Sequence, residues 1–447
     1  MQLLKEQILP LVEQAVSAFG ATDLPVASML QPARELDQGD LTLPCFPFAK
    51  AFKMSPVEIA ETLAASIPEH ASLSEVTAIN GYLNFRVSPH WLASQLLNGA
   101  METTHEVSDR SVLIEHTSAN PNGPFHVGRA RNAILGDTLV RLHRLWGHDV
   151  TAEYYVDDMG KQVAVLAWAL EHLSQTDVET LLHDREASNP TWEGKADHQR
   201  VRWYQAAQKL RQDENEAPPI EKAIGELVHA SENGDEGVLQ AFEDAYQPVL
   251  AGMLETLGRL GIQFDRFTKE SRFVTNGDVT ALMDELGALE INGVADNGAQ
   301  FLDLGARGLK GKTEFFYRRG DGSSLYATRD IAYHRWKWSM SNELINVLGE
   351  DHKLQAKQVG LTLEELGHQR PEVVFYSFIK LPEGKMSTRQ GNVVFMDDLL
   401  EEAKAQAGKV VSELRPDYEQ ETIDQIAEAV GTSAVRFNII NVSPEKG

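Results

Sequence analysis

The chain has 447 residues, a hydrophobic share of 42%, a charged share of 24%, a formal charge of −25 and one cysteine, Cys45. That length exceeds one simple core, so two or three domains are expected, and the lone cysteine excludes a disulfide framework and a cysteine-based zinc site while favouring an intracellular, cytoplasmic location. The acidity opposes a nucleic-acid partner unless a local basic patch supplies positive potential, and no apolar run reaches membrane-spanning length.

The N-terminus carries Glu6 and Glu13 in an amphipathic pattern unlike a signal peptide. Leu4, Ile8, Leu11, Val12, Ala15 and Phe19 form one helical face that ends at Gly20. A helix from about Pro56 to Ser66 and a strand pair near Val76 and over Tyr82–Val87 complete a small α/β N-terminal domain, residues 1–105, with no catalytic cluster. Its default role is binding or packing.

Ser111–Glu115 reads as a buried strand running into a Pro/Asn/Gly loop. Leu135, Leu139, Leu142 and Trp146 then recur at helical spacing until Gly147, and Val150–Val156 reads as the next strand. This βαβ unit sets a helix N-terminus at the carboxyl edge of a parallel sheet, where orphan amides favour an anion. Gly128 allows close approach of a ligand, and His126 and Arg129 add donors. An ordinary strand-loop-helix with a capping histidine is the competing reading.

From about 162 to 260 the chain reads as a charged helical insertion, broken at Asp213–Glu216 with Pro218 and Pro219, and again at Ser231–Gly237. Core packing is the expected role of Trp168, Trp192, Trp203 and Tyr204, with base stacking as the alternative. From Glu314 the alternation returns, with strands at Glu314–Tyr317, Leu344–Leu348 and Pro371–Phe378 and a helix from Tyr326 past Trp336. Successive βα units imply a doubly wound parallel sheet, an α/β fold of Rossmann type, whose ligands gather at the carboxyl edge. Gly384–Gly391 follows with two cations and two hydroxyls between glycines, a loop suited to clamping and releasing a polyphosphate.

His126-Val-Gly-Arg129 resembles the first signature of class I aminoacyl-tRNA synthetases, and Lys385-Met-Ser-Thr-Arg389 resembles the second. Within that class the chain resembles arginyl-tRNA synthetase of the archaeal form. The matches are Ser118–His126, Tyr154–Gly160, Leu325–Asp330 and Gly384–Arg389, in the expected order, with Gly39-Asp40 and Asn80–Arg86 similar to the family's N-terminal domain. The resemblance implies a catalytic domain over 106–400 and ATP-dependent ligation of L-arginine to tRNA(Arg) through an arginyl-adenylate. His126, Gly128 and Arg129 then hold ATP phosphates or ribose, and Lys385, Ser387 and Arg389 the triphosphate and pyrophosphate, with Met386 in the ATP site; Gly349 and His352 lie on a switch-point loop placed to contact the adenosine, with a helix-capping or core role as the alternative for His352. Mg²⁺ accompanies ATP, held chiefly by its phosphates; no zinc or other metal has protein ligands, and a monomer is expected.

By the same resemblance Glu115, Asn120, Tyr326 and Asp330 recognise arginine. A guanidinium presents a rigid fork of donors and calls for carboxylates. The alternative gives Glu115 an ion-pair partner within the protein and makes Asp330 a helix-surface charge. Asp157, Asp158 and Gln162 match a family motif near the rim and receive no chemical role.

Arg129 stands in place of the second histidine of the first signature, and Thr388, Arg389 and Gln390 depart from the second. Residues 401–447 read as a helical connector, after which the family's anticodon-binding domain is expected to be missing. Two other functions fit the residues: a paralogue activating arginine for another acceptor, and a non-catalytic RNA-binding or regulatory module.

Overall fold

A computed structural model describes residues 2–20, 24–33, 38–97, 109–182, 192, 194–379 and 394–446. The chain separates into two compact units, Met1–Thr104 and His105–Gly447. Among the described residues no helix is long and apolar enough to cross a membrane.

In the first unit Leu4, Ile8, Val12 and Ala15 are buried along helix Gln2–Phe19, the face that their spacing requires. Strands β1 (Gln31–Pro32), β2 (Leu41–Pro44), β3 (Leu73–Ile79) and β4 (Tyr82–Val87) form an antiparallel sheet in the order β1-β2-β4-β3. Asn80 and Gly81, at φ 51° and 83°, close the β3–β4 hairpin with the left-handed turn that Asn-Gly favours. Ser55 and Glu58 exchange hydrogen bonds of 3.0 and 3.2 Å and so cap helix Pro56–Ser66 at its start. Gly39-Asp40 is a fastening of the sheet: Asp40 donates its amide to the Phe85 carbonyl and accepts the Val87 amide, each at 2.8 Å.

The second unit is built on β5 (Ser111–Glu115), β6 (Asp149–Val156), β7 (Arg266–Lys269), β11 (Glu343–Gly349) and β12 (Glu372–Tyr376), ordered β12-β11-β5-β6-β7 and parallel throughout. Taken in chain order this is 5-4-1-2-3, the doubly wound arrangement, and the order reverses between β5 and β11. Val112 and Ile114 of β5 pack with Val140 of helix Val127–Leu145. Alternation turns Glu115 to the opposite face, under helix Tyr326–Met340. Glu115 lies in register with Asn346 on one side and Glu153 on the other, and Glu153 with Arg266, so a polar row crosses the sheet.

The insertion is helical as expected, over Lys161–His172, Gln175–Leu182, Ala196–Leu210, Ala217–Glu232 and Glu236–Arg259. Pro218 and Pro219 sit in the first turn of their helix, where a missing amide costs nothing. Trp168 and Tyr204 are core residues; Trp192 and Trp203 are half-buried and donate to Asp398 and to the Leu173 carbonyl at 2.8 and 3.0 Å.

One expectation about strands needs correction, and one strand was not foreseen. Glu314–Tyr317 does not join the parallel sheet: as β10 (Glu314–Arg318) it pairs antiparallel with β9 (Gln300–Asp303), which pairs with β8 (Asn292–Val294) in a separate small sheet. The fifth parallel strand is β7, whose short, charged sequence Arg-Phe-Thr-Lys gives no apolar run. The last two helices, Met396–Leu414 and Gln420–Ile440, pack on each other and on the sheet's first helix, where Arg436 pairs with Asp137 at 2.6 Å.

Candidate active site

Ligands of an open α/β sheet bind beyond the carboxyl ends of the strands where the strand order reverses. A cavity of about 450 Å³ lies at this point, walled by the ends of β5, β6, β11 and β12 and by the first turns of the helices that follow. Seven residues given a site role from the sequence share this wall, Glu115, Asn120, Arg129, Tyr326, Asp330, Gly349 and His352, and Asp157, given none, joins them.

The loop leaving β5 turns sharply into this space. Thr117 and Ser118 have φ of 69° and 40°, a conformation that a β-branched residue adopts only under constraint. The constraint is a set of hydrogen bonds: Thr117 donates its amide to Asn132 Oδ1 at 2.8 Å, and Tyr155 donates its amide to Ser118 Oγ at 3.1 Å. Beneath the loop His116 is fully buried against Gly136, where a Cβ would fall 2.2 Å from the His116 Cβ. Burial pushes His116 down to about 3, so it is neutral at physiological pH.

One wall is acidic and tightly bonded. Lys337 Nζ, fully buried, donates to Glu115 Oε2 at 2.7 Å and to Asn346 Oδ1 at 2.9 Å, and lies 3.2 Å from His334 Nε2. His334 Nδ1 in turn lies 3.0 Å from Asp330 Oδ1, and Gln355 donates to Asp330 Oδ2 at 3.3 Å. Burial acts to raise the Asp330 carboxyl, but His334, Lys337 and Gln355 outweigh it and hold the group below its ordinary value. Asp330 is thus a cavity residue, not a helix-surface charge. Glu115 has both properties weighed for it, an ion-pair partner inside the protein and a place on the cavity wall.

Deeper still, Asp157 is raised by burial, while Glu270, bonded to Arg329, is pushed up to about 8 by burial, with the charge of Asp157 adding to the effect. Asp158 instead fastens the backbone after β7, accepting the amide and hydroxyl of Ser271 at 2.8 and 2.5 Å.

The phosphate side is arranged differently from the sequence expectation. Val127, at the start of its helix, donates its amide to the Val394 carbonyl at 2.9 Å, so this amide is not an orphan. His126 forms a bridge with Phe395, makes no side-chain cap, and its Nδ1 is buried without a partner among the described residues. Burial, then Arg129, pushes it down to about 4. Gly128 is buried in the first helical turn, and neither residue belongs to the wall of the cavity. Gly349 is needed for space, since a Cβ there would come 2.6 Å from the Phe378 ring. His352 precedes helix Lys353–Glu365 without capping it. Lys385, Met386, Ser387 and Arg389 lie outside the described residues.

Sequence reasoning missed His334, Lys337, Asn346, Gln355 and Asn132. The signal was present for some of them: Tyr326, Asp330, His334 and Lys337 recur at helical steps, and Asn346 interrupts an apolar strand just as Glu115 does. Among the described residues Asp197, His198 and Asp397 have metal-ligand spacing, but Lys195 Nζ lies 3.0 and 2.8 Å from the two carboxylates, in the position an ion would take.

The family description "tRNA synthetases class I (R), catalytic domain" matches residues 92–443, and "Arginyl tRNA synthetase N terminal domain" matches residues 6–87. An arginine–tRNA ligase of Methanocella arvoryzae is 41% identical over 440 residues, 98% of this chain and 75% of that protein. Its counterpart in Methanococcoides burtonii is 37% identical over 453 residues, covering 99% and 74%. Among solved structures, Thermus thermophilus arginyl-tRNA synthetase superposes with a TM-score of 0.68 at 25% identity, over 99% of this chain and 76% of that one. The Plasmodium falciparum enzyme, at 15% identity and a TM-score of 0.63 over 99% and 75%, shares the fold.

Proposed function

We infer that this chain, which belongs to the arginyl-tRNA synthetases of class I, joins L-arginine to tRNA(Arg) at the expense of ATP. In the first step an arginine carboxylate oxygen attacks the α-phosphorus, forming arginyl-adenylate as the bond to pyrophosphate breaks. In the second a ribose hydroxyl of the terminal tRNA adenosine attacks the arginyl carbonyl and AMP leaves. Little covalent chemistry falls to the protein, so positioning and charge stabilisation carry the rate.

The observation that carries the residue assignment is the convergence of Glu115, Asp330 and Tyr326 on one cavity at the sheet's switch point. Glu115 and Asp330 receive the guanidinium fork, and Tyr326, 44% exposed, offers its ring and hydroxyl. Asn120 orients the amino-acid end. Arg129 faces the same space and supports the α-phosphate, where negative charge grows. His126 and Gly128 flank it, Gly349 and His352 take the adenosine, and Lys385, Met386, Ser387 and Arg389 hold the triphosphate and the departing pyrophosphate. Mg²⁺ enters with ATP, and carboxylates at the rim, of which Asp351 is one, suit a hydrated ion held mainly by phosphate. The N-terminal unit is proposed to contact tRNA, a reading supported by its family match.

Arginine-dependent exchange of pyrophosphate into ATP, run with and without tRNA(Arg), tests this. Exchange is expected with arginine and absent with lysine or citrulline; exchange indifferent to the amino acid overturns the pocket assignment.

A further inference from the structure

We propose that Lys337 and His334 act as positioning residues for the amino-acid pocket, forming an internal bridge that holds the Glu115 side chain in place and aligned with Asp330. The inference rests on the arginine reading of the site and adds two residues, neither among those the sequence marked out.

Tyr326, Asp330, His334 and Lys337 form one stripe of helix Tyr326–Met340, from the cavity wall down to the sheet. The two carboxylates assigned to the guanidinium come from different elements, β5 and this helix. They are joined through side chains in the order Glu115, Lys337, His334, Asp330, at 2.7, 3.2 and 3.0 Å. Asn346 on β11 closes the bridge: its Oδ1 accepts from Lys337 and its Nδ2 lies 2.7 Å from His334 Nε2. With two donors facing Nε2, that nitrogen accepts and Nδ1–H donates to Asp330, whose backbone carbonyl lies at 2.8 Å and whose carboxylate Oδ1 at 3.0 Å, which fixes the ring beside the carboxylate.

Lys337 is an expensive residue to bury for packing alone. Its ammonium has no exposure and sits 4.3 Å from the Tyr333 ring centre. A fully buried lysine keeps its charge only where partners compensate, and Glu115 is its carboxylate partner. The reciprocal effect matters more to the site. Glu115 is in register with Glu153, and Asp330 belongs to the same wall, so without a cation its charge would be opposed from two sides. The groups facing it are Lys337, His334, Asp330, Tyr326 and Tyr333 on the helix, Glu153 on β6 and, through Glu153, Arg266 on β7. Lys337 is the cation bonded to Glu115; Arg266 is bonded to Glu153. The bridge therefore presents a guanidinium with carboxylates already fixed in place, so binding need not reorder a side chain.

The test is Lys337→Met in the full chain, assayed by arginine-dependent pyrophosphate exchange with tRNA. The expected result is an arginine KM raised on the order of tenfold to a hundredfold with an ATP KM within about twofold of wild type. A purely structural role would weaken both substrates together. His334→Gln, which cuts the bridge on the Asp330 side, is the second variant should Lys337→Met not fold; it is expected to raise the arginine KM while sparing that of ATP. Variants with wild-type arginine KM overturn the bridge and leave the function standing. A wild-type chain whose exchange ignores arginine overturns the function and the bridge together.

Discussion

Val127 donates its amide to the carbonyl oxygen of Val394 at 2.9 Å, and two residues further Met396 returns its amide to Phe125 at 2.8 Å. Backbone thus ties the segment that follows the second signature to the first. Behind this tie, Asp397 is bonded to Lys195 and His198 at 2.8 Å each and to Thr256 at 2.8 Å, which anchors the same segment to the helical insertion.

Asp397→Asn is accordingly expected to destabilise the fold by about 3 kcal/mol, because it leaves the Lys195 ammonium, 8% exposed, short of a counter-charge. Burial acts to raise Asp397, but His198, Lys195 and Thr256 outweigh it and its carboxyl is held low. Asp197, on the same ammonium, is pushed the other way by burial; Asp397, with three donors, is the partner whose charge Lys195 secures. A carboxyl held low in the fold stabilises it at pH above its unfolded value of about 3.9 and ceases to do so as the pH falls through the folded one. Urea unfolding at pH 7 and at pH values below about 3.9 should therefore show the gap between wild type and Asp397→Asn narrowing toward acid. A gap of constant size would refute the account.

Asp330→Asn should raise the arginine KM by about two orders of magnitude and leave ATP binding near wild type, since a neutral amide presents one acceptor where a guanidinium seeks a charged pair. Isothermal titration with each ligand separately decides it. Equal loss of both would mean that Asp330 shapes the fold of the cavity and not the amino-acid subsite.

Gly136→Ala is a stability test of the loop's foundation. The added methyl falls on His116, whose ring is walled in and cannot retreat. A cost of at least about 2 kcal/mol is expected in denaturant unfolding, where alanine at an open helical position would be a gain.

Asn132→Leu removes the acceptor of the Thr117 amide and the donor to the Val347 carbonyl, at 2.8 and 3.1 Å, while keeping the side chain's bulk. Two buried groups lose their partners, for a loss of about 2 to 4 kcal/mol, and the left-handed pair at Thr117 and Ser118 loses its restraint. Exchange activity should fall further than stability explains, measured well below the melting temperature.

His126 provides a prediction about pH. Burial and Arg129 set it near 4, so it is neutral throughout the working range. No acid limb near pH 6.5 should appear in exchange rates on its account, and His126→Gln, a neutral donor of similar reach, should retain more activity than His126→Ala. An acid limb that vanishes in His126→Gln would contradict this.

The parallel sheet was legible wherever strands were apolar and bounded by Gly or Pro, as in Ser111–Glu115 and Leu344–Leu348. It was illegible at Arg266–Lys269, where edge position permits charge, and at Glu314–Arg318, where the local pattern of a strand says nothing about which sheet it joins. Glu115 stood out because a carboxylate in a buried strand demands a partner. That partner, Lys337, lies 222 residues away, a distance over which pattern carries no information. The pairing of the Val127 amide with the Val394 carbonyl was illegible for a related reason, the two residues being far apart in the chain.

The row Asn346, Glu115, Glu153 and Arg266 has a consequence for how the chain assembles. Apolar strands tolerate sliding past one another, since one branched side chain replaces another at little cost. Here a slip of one residue in β7 or β11 would swing Arg266 or Asn346 to the opposite side of the sheet, and take from Glu153 its arginine or from Lys337 its amide acceptor. The side chains that prepare the pocket thereby penalise misaligned forms of the protein, so molecules that escape the penalty during folding are those whose pocket is already assembled.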